Sequence, residues 1–241
     1  VYNVVSGYTT NKVLPFFSVN FFAANNSGFR SDVVINAITP GVQPSSIVTT
    51  DEASIFPPTD ASVIVYGGNI TIDSTINHQP NPPGVAGPWD LLINGSKSVT
   101  INADVGAGDD VRITSKGPLV ISGNVLANTD GDGSGGVYIA NTLAGASTTI
   151  SGIVVAPGTS TDGINITTLG PTTISGNMGS NYDINITNNG TGAGNFTDIS
   201  SSVILAINDI NVTQALSPAN APITISGGML ARGCPSASGE T

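Results

Sequence analysis

The chain has 241 residues and a formal net charge of −10, and its 22 Val, 26 Ile and 26 Thr are the β-branched residues that suit pleated strands. With two Glu and three Lys, it lacks the charged residues that amphipathic helices need on their exposed faces, which excludes a helix-rich fold. The balance of 6 basic and 16 acidic residues argues against nucleic acid as a partner, and no apolar run is long enough for membrane insertion.

Residues 1–61 show no repeat and contain six of the seven phenylalanines. The end of a stacked β-structure exposes an unpaired strand edge and an open core, both of which promote aggregation. We expect this region to be an N-terminal cap that closes the core with aromatic rings. The alternative is an assembly region that docks onto a neighbouring copy in a filament. The phenylalanines are Phe16, Phe17, Phe21, Phe22, Phe29 and Phe56.

From residue 62 to residue 228 the chain consists of short strand-like segments separated by Gly, Pro, Asn and Asp. The earliest of these segments lie at 63–65, 70–72, 91–93 and 99–101. The stretch 77–88 between them has four prolines and no hydrophobic periodicity, which predicts a protruding loop.

A five-residue motif recurs further along the chain, where 148–152 and 172–176 both read Thr-Thr-Ile-Ser-Gly. Shorter versions surround Ser122 and Ser226. The successive serines, at 122, 151, 175 and 226, are separated by 29, 24 and 51 residues, and the last interval is close to two periods. A strand and a turn precede each of the first three motifs, so the repeating unit is larger than the motif itself.

A period of about 20 to 29 residues that holds two or three strands is typical of a β-solenoid, in which each period forms one coil. Apolar residues alternate within strands, as in Ile164, Ile166, Ile184 and Ile186, so one strand face points into a narrow core while Asn and Thr face water. The sequence therefore predicts an all-β fold: a parallel β-helix of about seven coils over residues 62–228, with a C-terminal tail at 229–241. An antiparallel sandwich is the rival, but it does not need identical strand-turn-strand units.

Acidic residues in the turns are the candidate groups for polysaccharide chemistry, because glycoside hydrolysis normally needs two carboxylates. The segment 128–131 superficially resembles the first motif of polygalacturonase-type glycosidases, and Asp109-Asp110 matches their second motif but precedes the first. The Gly-His-Gly and Arg-Ile-Lys motifs are missing, and the single histidine, His78, lies in the predicted loop. Asp162 repeats the turn of Asp130 one coil later, which indicates a structural corner. We therefore predict no catalytic residues.

The segment 130–134 matches the first half of a calcium-binding loop, with oxygen ligands at alternate positions and glycines at the turn. Asn141 stands where a bidentate Glu would close such a site. Asp130, Asp132 and Ser134 are thus a partial Ca²⁺ site, and the alternative is a solvated Gly/Asp turn. No other cofactor is indicated, since one Cys and one His cannot build a zinc site.

Eight Asn-X-Ser/Thr sequons, the acceptor pattern for N-glycosylation, are present. Composition alone predicts about five, so the excess is small. Cys234, the only cysteine, lies beyond the last predicted strand, and no internal disulfide can form. The sequons begin at Asn25, Asn69, Asn94, Asn165, Asn185, Asn189, Asn195 and Asn211.

Segments 111–126 and 164–178, which combine a strand, a small turn and Ile-Ser-Gly-Asn, resemble repeats of filamentous-haemagglutinin-type adhesins and autotransporter passengers. The resemblance covers residues 62–228. It implies a right-handed parallel β-helix that is exported to the cell surface and acts in attachment, in biofilm cohesion or as a rigid stalk. The Asn-Pro-Asn motif that is typical of the secretion domains in this family has no match here.

We therefore expect a secreted or cell-surface β-solenoid without catalytic activity, serving as an adhesin segment or a repeating structural subunit. Side loops at 77–88, 104–110, 128–136 and 157–163 would present polar groups to a glycan, to a protein on a host or neighbouring cell, or to copies of this chain in a filament. The alternative is a polysaccharide-acting glycosidase or lyase whose carboxylates converge in a groove.

Overall fold

The computed structural model describes residues 18–22, 33–35, 47–52, 61–73, 75–81, 89–128, 133–158, 163–200, 203–215 and 222–233. All regular elements in these ranges are β-strands, which confirms the predicted all-β class. In chain order the strands are β1 (Ser18–Phe22), β2 (Val33–Ile35), β3 (Ile47–Glu52), β4 (Ala61–Ile72), β5 (Ile76–Asn81), β6 (Trp89–Ile101), β7 (Val105–Ala107), β8 (Val111–Ser115), β9 (Leu119–Ile121), β10 (Val125–Leu126), β11 (Val137–Asn141), β12 (Thr148–Ile150), β13 (Val154–Ala156), β14 (Ile164–Thr168), β15 (Thr172–Ile174), β16 (Met178–Ser180), β17 (Ile184–Asn188), β18 (Thr197–Ile199), β19 (Val203–Ala206), β20 (Ile210–Gln214), β21 (Ile223–Ile225) and β22 (Gly228–Ala231).

Each coil contributes one strand to each of three faces, and neighbouring coils pair in parallel. The first face contains β1, the starts of β4 and β6, and then β8, β11, β14, β17 and β20. The second face contains β2, the ends of β4 and β6, and then β9, β12, β15, β18 and β21. The third face contains β3, β5, β7, β10, β13, β16, β19 and β22. The predicted parallel solenoid is confirmed, and this parallel pairing is incompatible with the antiparallel sandwich.

The stacking extends on both sides of the predicted repeat region 62–228. Upstream, β1 and β2 pair with β4, and β3 pairs with β5. Downstream, β22 ends at Ala231. The side chains of the N-terminal phenylalanines lie outside the described residues, so the aromatic cap stays a prediction.

The predicted loop at 77–88 is wrong over its first part, because residues 77–81 belong to β5. The strand β5 pairs with β3 over its whole length but with β7 only from Ile76 to His78. Pro80 therefore lies where β5 has a neighbour on one side alone, a position that tolerates the missing N–H of proline. Residues 82–88 lie outside the described ranges.

The core consists of apolar columns that run along the solenoid axis. The clearest is an isoleucine column on the second face, in which each member except the last is 0% exposed. Burying one such side chain stabilises the fold by about 1.5–3 kcal/mol. The column comprises Ile72, Ile101, Ile121, Ile150, Ile174, Ile199 and Ile225.

The corner between the first and second faces has a polar lining inside the solenoid. Asn141 donates its side-chain amide to the Ser147 carbonyl at 3.0 Å, and Thr168 and Thr172 join their hydroxyls at 2.7 Å. The expectation that strand Thr residues face water is wrong for Thr148, Thr172 and Thr197, which are buried. The lining residues are Ser115, Asn141, Thr148, Thr168, Thr172, Asn188, Asn195 and Thr197.

The Ile-Ser-Gly motif forms the corner that follows the second face. At Ile150, one carbonyl oxygen accepts the N–H groups of both Ser175 and Gly176 from the next coil, at 2.9 and 3.2 Å. The same pair of bonds forms at Ile101, Ile121 and Ile199. Ser200 takes the serine position between Ser175 and Ser226, so the 51-residue interval spans two coils, as the spacing predicted.

Candidate functional site

The outward side of the first face carries two parallel columns of polar side chains, which we call the polar face. Strands β14, β17 and β20 place asparagine over asparagine and threonine over threonine in the same register. Because strands alternate their side chains, these residues point outward while Ile164, Ile184 and Ile210 point inward. The polar face comprises Asn165, Asn185 and Asn211 in one column and Thr167, Thr187 and Thr213 in the other.

Side-chain hydrogen bonds join the asparagine column from coil to coil. The Asn185 amide donates to the Asn165 oxygen at 3.1 Å, and the Asn211 amide donates to the Asn185 oxygen at 3.0 Å. These bonds fix the orientation of each amide, so the column presents the same groups in every row. Rows repeat every 4.7–4.9 Å or so along the axis, and the two columns stand about 6.6 Å apart.

Upstream on the same face, the asparagine column is replaced by Tyr138 and Arg112. The Arg112 guanidinium lies 4.2 Å from the centre of the Tyr138 ring and forms an ion pair with Asp110. Partial burial of Arg112 lowers its pKa, but the charge and hydrogen bond of Asp110 raise it, so the pKa of Arg112 is above its ordinary value. A fixed cation and an aromatic ring thus stand at one end of the polar face.

The structure gives Asp110 a role at a corner of the solenoid. Its carboxylate accepts the Gly136 N–H at 2.8 Å as well as the Arg112 side chain, and it is 9% exposed. The Asp90 carboxylate accepts the Asp110 N–H in the same way at 3.2 Å, one coil earlier. These bonds tie each coil to the next. Asp109 precedes Asp110 at the same corner, where its backbone carbonyl accepts the Asn128 N–H at 3.1 Å. The other acidic candidates, Asp130, Asp132 and Asp162, lie outside the described residues, as does the side chain of His78.

The partial calcium site is described only at its downstream end. Ser134 is half-buried, Gly133 donates its N–H to the Asn128 side chain at 3.3 Å, and Gly133 and Gly135 have φ angles of 95° and 104°. Asn141, at the position of the closing ligand, points into the core and bonds to the Thr148 hydroxyl at 3.1 Å. Within the described ranges, no three His, Cys, Asp or Glu side chains lie close enough to share a metal ion.

The predicted glycosylation sequons fall into two groups, one with a buried asparagine and one with asparagines on the outer surface. Asn195 is 5% exposed and donates its amide to the Asn188 oxygen at 3.1 Å inside the corner. Asn165, Asn185 and Asn211 instead stand on the polar face, where each sequon supplies the asparagine and the threonine of one row. The recurring strings Ile-Asn-Ile-Thr and Ile-Asn-Val-Thr are the sequence signal for this face, because they occupy equal positions in successive coils.

A second surface feature, which the sequence reasoning missed, lies on the third face. A groove of about 280 Å³ runs over Gly179 and is lined by aliphatic side chains such as Val155, Leu205 and Leu230. Its outward residues come from one strand per coil. The sequence signal would have been the residue between two inward residues of a third-face strand, such as Val155 between Val154 and Ala156.

No protein-family model, curated protein or solved structure matches this chain. The parallel β-solenoid that the adhesin resemblance implies is present, while the lineage itself stays a prediction. None of the described segments forms a helix with the length and apolar character of a membrane span.

Proposed function

We propose that this protein is a non-catalytic β-solenoid, secreted or held at the cell surface, that binds an extended glycan along its polar face. The observation that carries this proposal is the in-register stacking of Asn165, Asn185 and Asn211 beside a threonine column. Amides and hydroxyls both donate and accept hydrogen bonds, as sugar hydroxyl groups do. A regular polymer that lies across the coils therefore meets equivalent partners in each row.

The affinity of such a site comes from repetition. Each row offers few contacts, so a single sugar binds weakly, whereas linked sugars gain from the high local concentration that follows the first contact. Because the hydrogen-bonded column already holds its amides in place, little side-chain entropy is lost on binding. Arg112 and Tyr138 add guanidinium N–H donors and an aromatic ring at one end of this face.

A stalk or filament component is the second form of the same proposal. In the last described coil, Ile223 and Ile225 of β21 are 41% and 45% exposed, although they continue buried columns. An exposed core end favours stacking of a further β-coil. Attachment to a protein on a host or neighbouring cell belongs to the same class of surface function. Cell fractionation with an antibody against this chain tests the proposed location.

A glycan array with the purified protein, with and without Ca²⁺, tests the binding proposal. We expect retention on long, regular polysaccharides and little retention on their disaccharides, because only the polymer spans several rows. Loss of binding on removal of Ca²⁺ would support the partial metal site at Asp130, Asp132 and Ser134. Release of reducing ends from a bound polymer would instead support the glycosidase alternative.

A pair of lysine variants locates the binding surface. Asn185→Lys interrupts the middle row of the polar face, so we expect polymer affinity to fall by about tenfold or more. Thr173→Lys is the matched control, since Thr173 points outward from β15 on the second face and the net charge changes equally. Equal affinities for both variants and the unsubstituted protein would contradict binding on the polar face.

A further inference from the structure

The outward side of the third face is an aliphatic strip, in contrast to the polar side of the first face. One outward residue per coil stacks in register along β10, β13, β16, β19 and β22. The exposed fractions of Leu126, Leu205 and Leu230 are 37%, 46% and 51%. The aliphatic strip comprises Leu126, Val155, Gly179, Leu205 and Leu230.

Several residues beside the strip are also apolar, although Asn181, beside Gly179, is polar. Ile153 and Val203, on one side, are 44% and 48% exposed, and Ile207, on the other, is 41% exposed. Among the described residues that line the groove, Arg232, in the last described coil, is the one charged residue. A contiguous exposed apolar patch of a few hundred Å² is often a functional contact surface.

Gly179 makes a notch in the middle of the strip. A Cβ atom placed on Gly179 meets nothing within 4 Å, so packing inside the protein does not require glycine here. The neighbouring rung carries the projecting side chain of Leu205. The notch at Gly179 and the projecting side chain of Leu205, which we call the knob, thus lie on adjacent rungs about 4.8 Å apart along the axis.

The geometry points to a second copy of this chain as the occupant of the aliphatic strip. A two-fold axis that lies in the plane of contact, parallel to the strands and midway between the rungs of Gly179 and Leu205, sets the leucine of each copy into the notch of the other. The same rotation sets Val155 opposite Leu230 of the second copy. No residue of the strip itself is charged, and Arg232, at the edge of the contact, is exposed, so its guanidinium can stay in water.

The size of the strip predicts a weak dimer. The two-fold axis leaves the Leu126 rung outside the contact, so four rungs at about 4.8 Å and about five residues across at roughly 3.3 Å give a planar area of roughly 320 Å² per copy. Twice that area lies below the standard interface of about 1,200–2,000 Å², in the range of transient complexes. We expect a dissociation constant on the order of 100 µM. Added salt should tighten the dimer, because it screens the repulsion between two chains of charge −10.

Sedimentation equilibrium over roughly 10–1,000 µM protein tests the dimer and its location. Leu205→Lys buries a charge at the centre of the contact, so we expect the dimer to weaken by about tenfold or more. Leu143→Lys is the matched control, since Leu143 is 49% exposed and lies outside the strip; it should leave the dissociation constant within about twofold. A monomer at all concentrations, or equal effects of both variants, would overturn the inference.

An exchange of knob and notch separates a specific contact from general damage to the fold. Gly179→Leu sets two knobs against each other and Leu205→Ala removes the knob, so each single variant should weaken the dimer by about tenfold. The double variant restores one knob and one notch per contact, and we expect it to recover to within about threefold of the original constant. A double variant no better than its parents overturns the inference. Circular dichroism and urea unfolding show whether each variant is folded, and the outcome does not depend on glycan binding by the polar face.

Discussion

The side chain of Asn188 links three segments of the solenoid. It is 0% exposed, and its amide nitrogen lies 2.9 Å from the Gly170 carbonyl, in the preceding coil, and 3.1 Å from the Phe196 carbonyl. Its oxygen accepts the Gly190 N–H at 3.0 Å and the Asn195 amide at 3.1 Å. In the folded protein these hydrogen bonds replace those that water makes with the same polar atoms in the unfolded chain.

Asn188→Ala should therefore lower the free energy of unfolding by about 2–4 kcal/mol, because it leaves buried polar groups without partners and creates a cavity. Asn185→Ala is the matched control, since Asn185 bonds only to the neighbouring asparagines on the outer surface; its loss should stay below about 1 kcal/mol. Urea unfolding of both variants supplies the comparison. Equal losses would show that the inner position has no special role.

The alternation of apolar and polar residues in the sequence could not distinguish inward polar residues from outward ones. In Thr148-Thr149-Ile150, the first threonine points inward and the second outward, yet both letters are the same. Ile150 is the one apolar residue of the three, so it alone shows which positions of the strand point inward. Alternation from Ile150 then places Thr148 inward, which a reader of the sequence would accept only for a core that contains polar residues. A polar residue is tolerated at this inward position because the Asn141 side chain, also inside the corner, donates a hydrogen bond to the Thr148 hydroxyl.

At the scale of elements, the corner after the second face explains why Gly follows Ile-Ser. A Cβ atom on Gly152 would lie 1.9 Å from the Gly123 carbonyl oxygen, and one on Gly176 would lie 1.9 Å from the Gly152 carbonyl oxygen. Those atoms belong to the backbone of the preceding coil, so they cannot move without separating the coils. The glycine column therefore reflects the close stacking of successive coils.

Gly152→Ala should lower the free energy of unfolding by at least about 2 kcal/mol, because the added methyl group overlaps a backbone oxygen. Gly228→Ala is the comparison, since a Cβ atom there meets nothing within 4 Å; its effect should stay within about 0.5 kcal/mol or be slightly favourable. Thermal or urea unfolding measures both. If Gly152→Ala proves neutral, the coils can separate without loss and the explanation of the motif fails.

The motif made the fold predictable from the sequence, whereas the candidate site was predictable only in part. Identical Thr-Thr-Ile-Ser-Gly units gave the period, and the period gave the parallel stacking of β12 on β15. Functional contacts were expected in the loops, but the two ordered surface columns lie on strands. A single strand shows only that a residue points outward; the register between coils decides which outward residues share a column.

At the scale of the whole molecule, each coil is stabilised by its contacts with the coils before and after it. Each strand bonds to the equivalent strands before and after it, so an inner coil has two neighbours and the last described coil has one. Strands β20, β21 and β22 are accordingly half-buried or exposed throughout, while β11 to β18 alternate with buried residues. In such a one-dimensional array, unfolding starts at the end with the fewest contacts.

Two alanine variants in one column test this gradient. Ile150 is 0% exposed and Ile225 is 45% exposed, although both occupy the isoleucine column of the second face. Ile150→Ala should lower the free energy of unfolding by about 2–5 kcal/mol, because its neighbours above and below cannot close the cavity, and Ile225→Ala by less than about 1.5 kcal/mol. Amide hydrogen exchange adds the spatial readout: Ile225→Ala should speed exchange in β20, β21 and β22 alone, whereas Ile150→Ala should speed it in the coils on both sides. Uniform acceleration by both variants would mean that the solenoid opens as one cooperative unit and that its end coil is held as firmly as its middle.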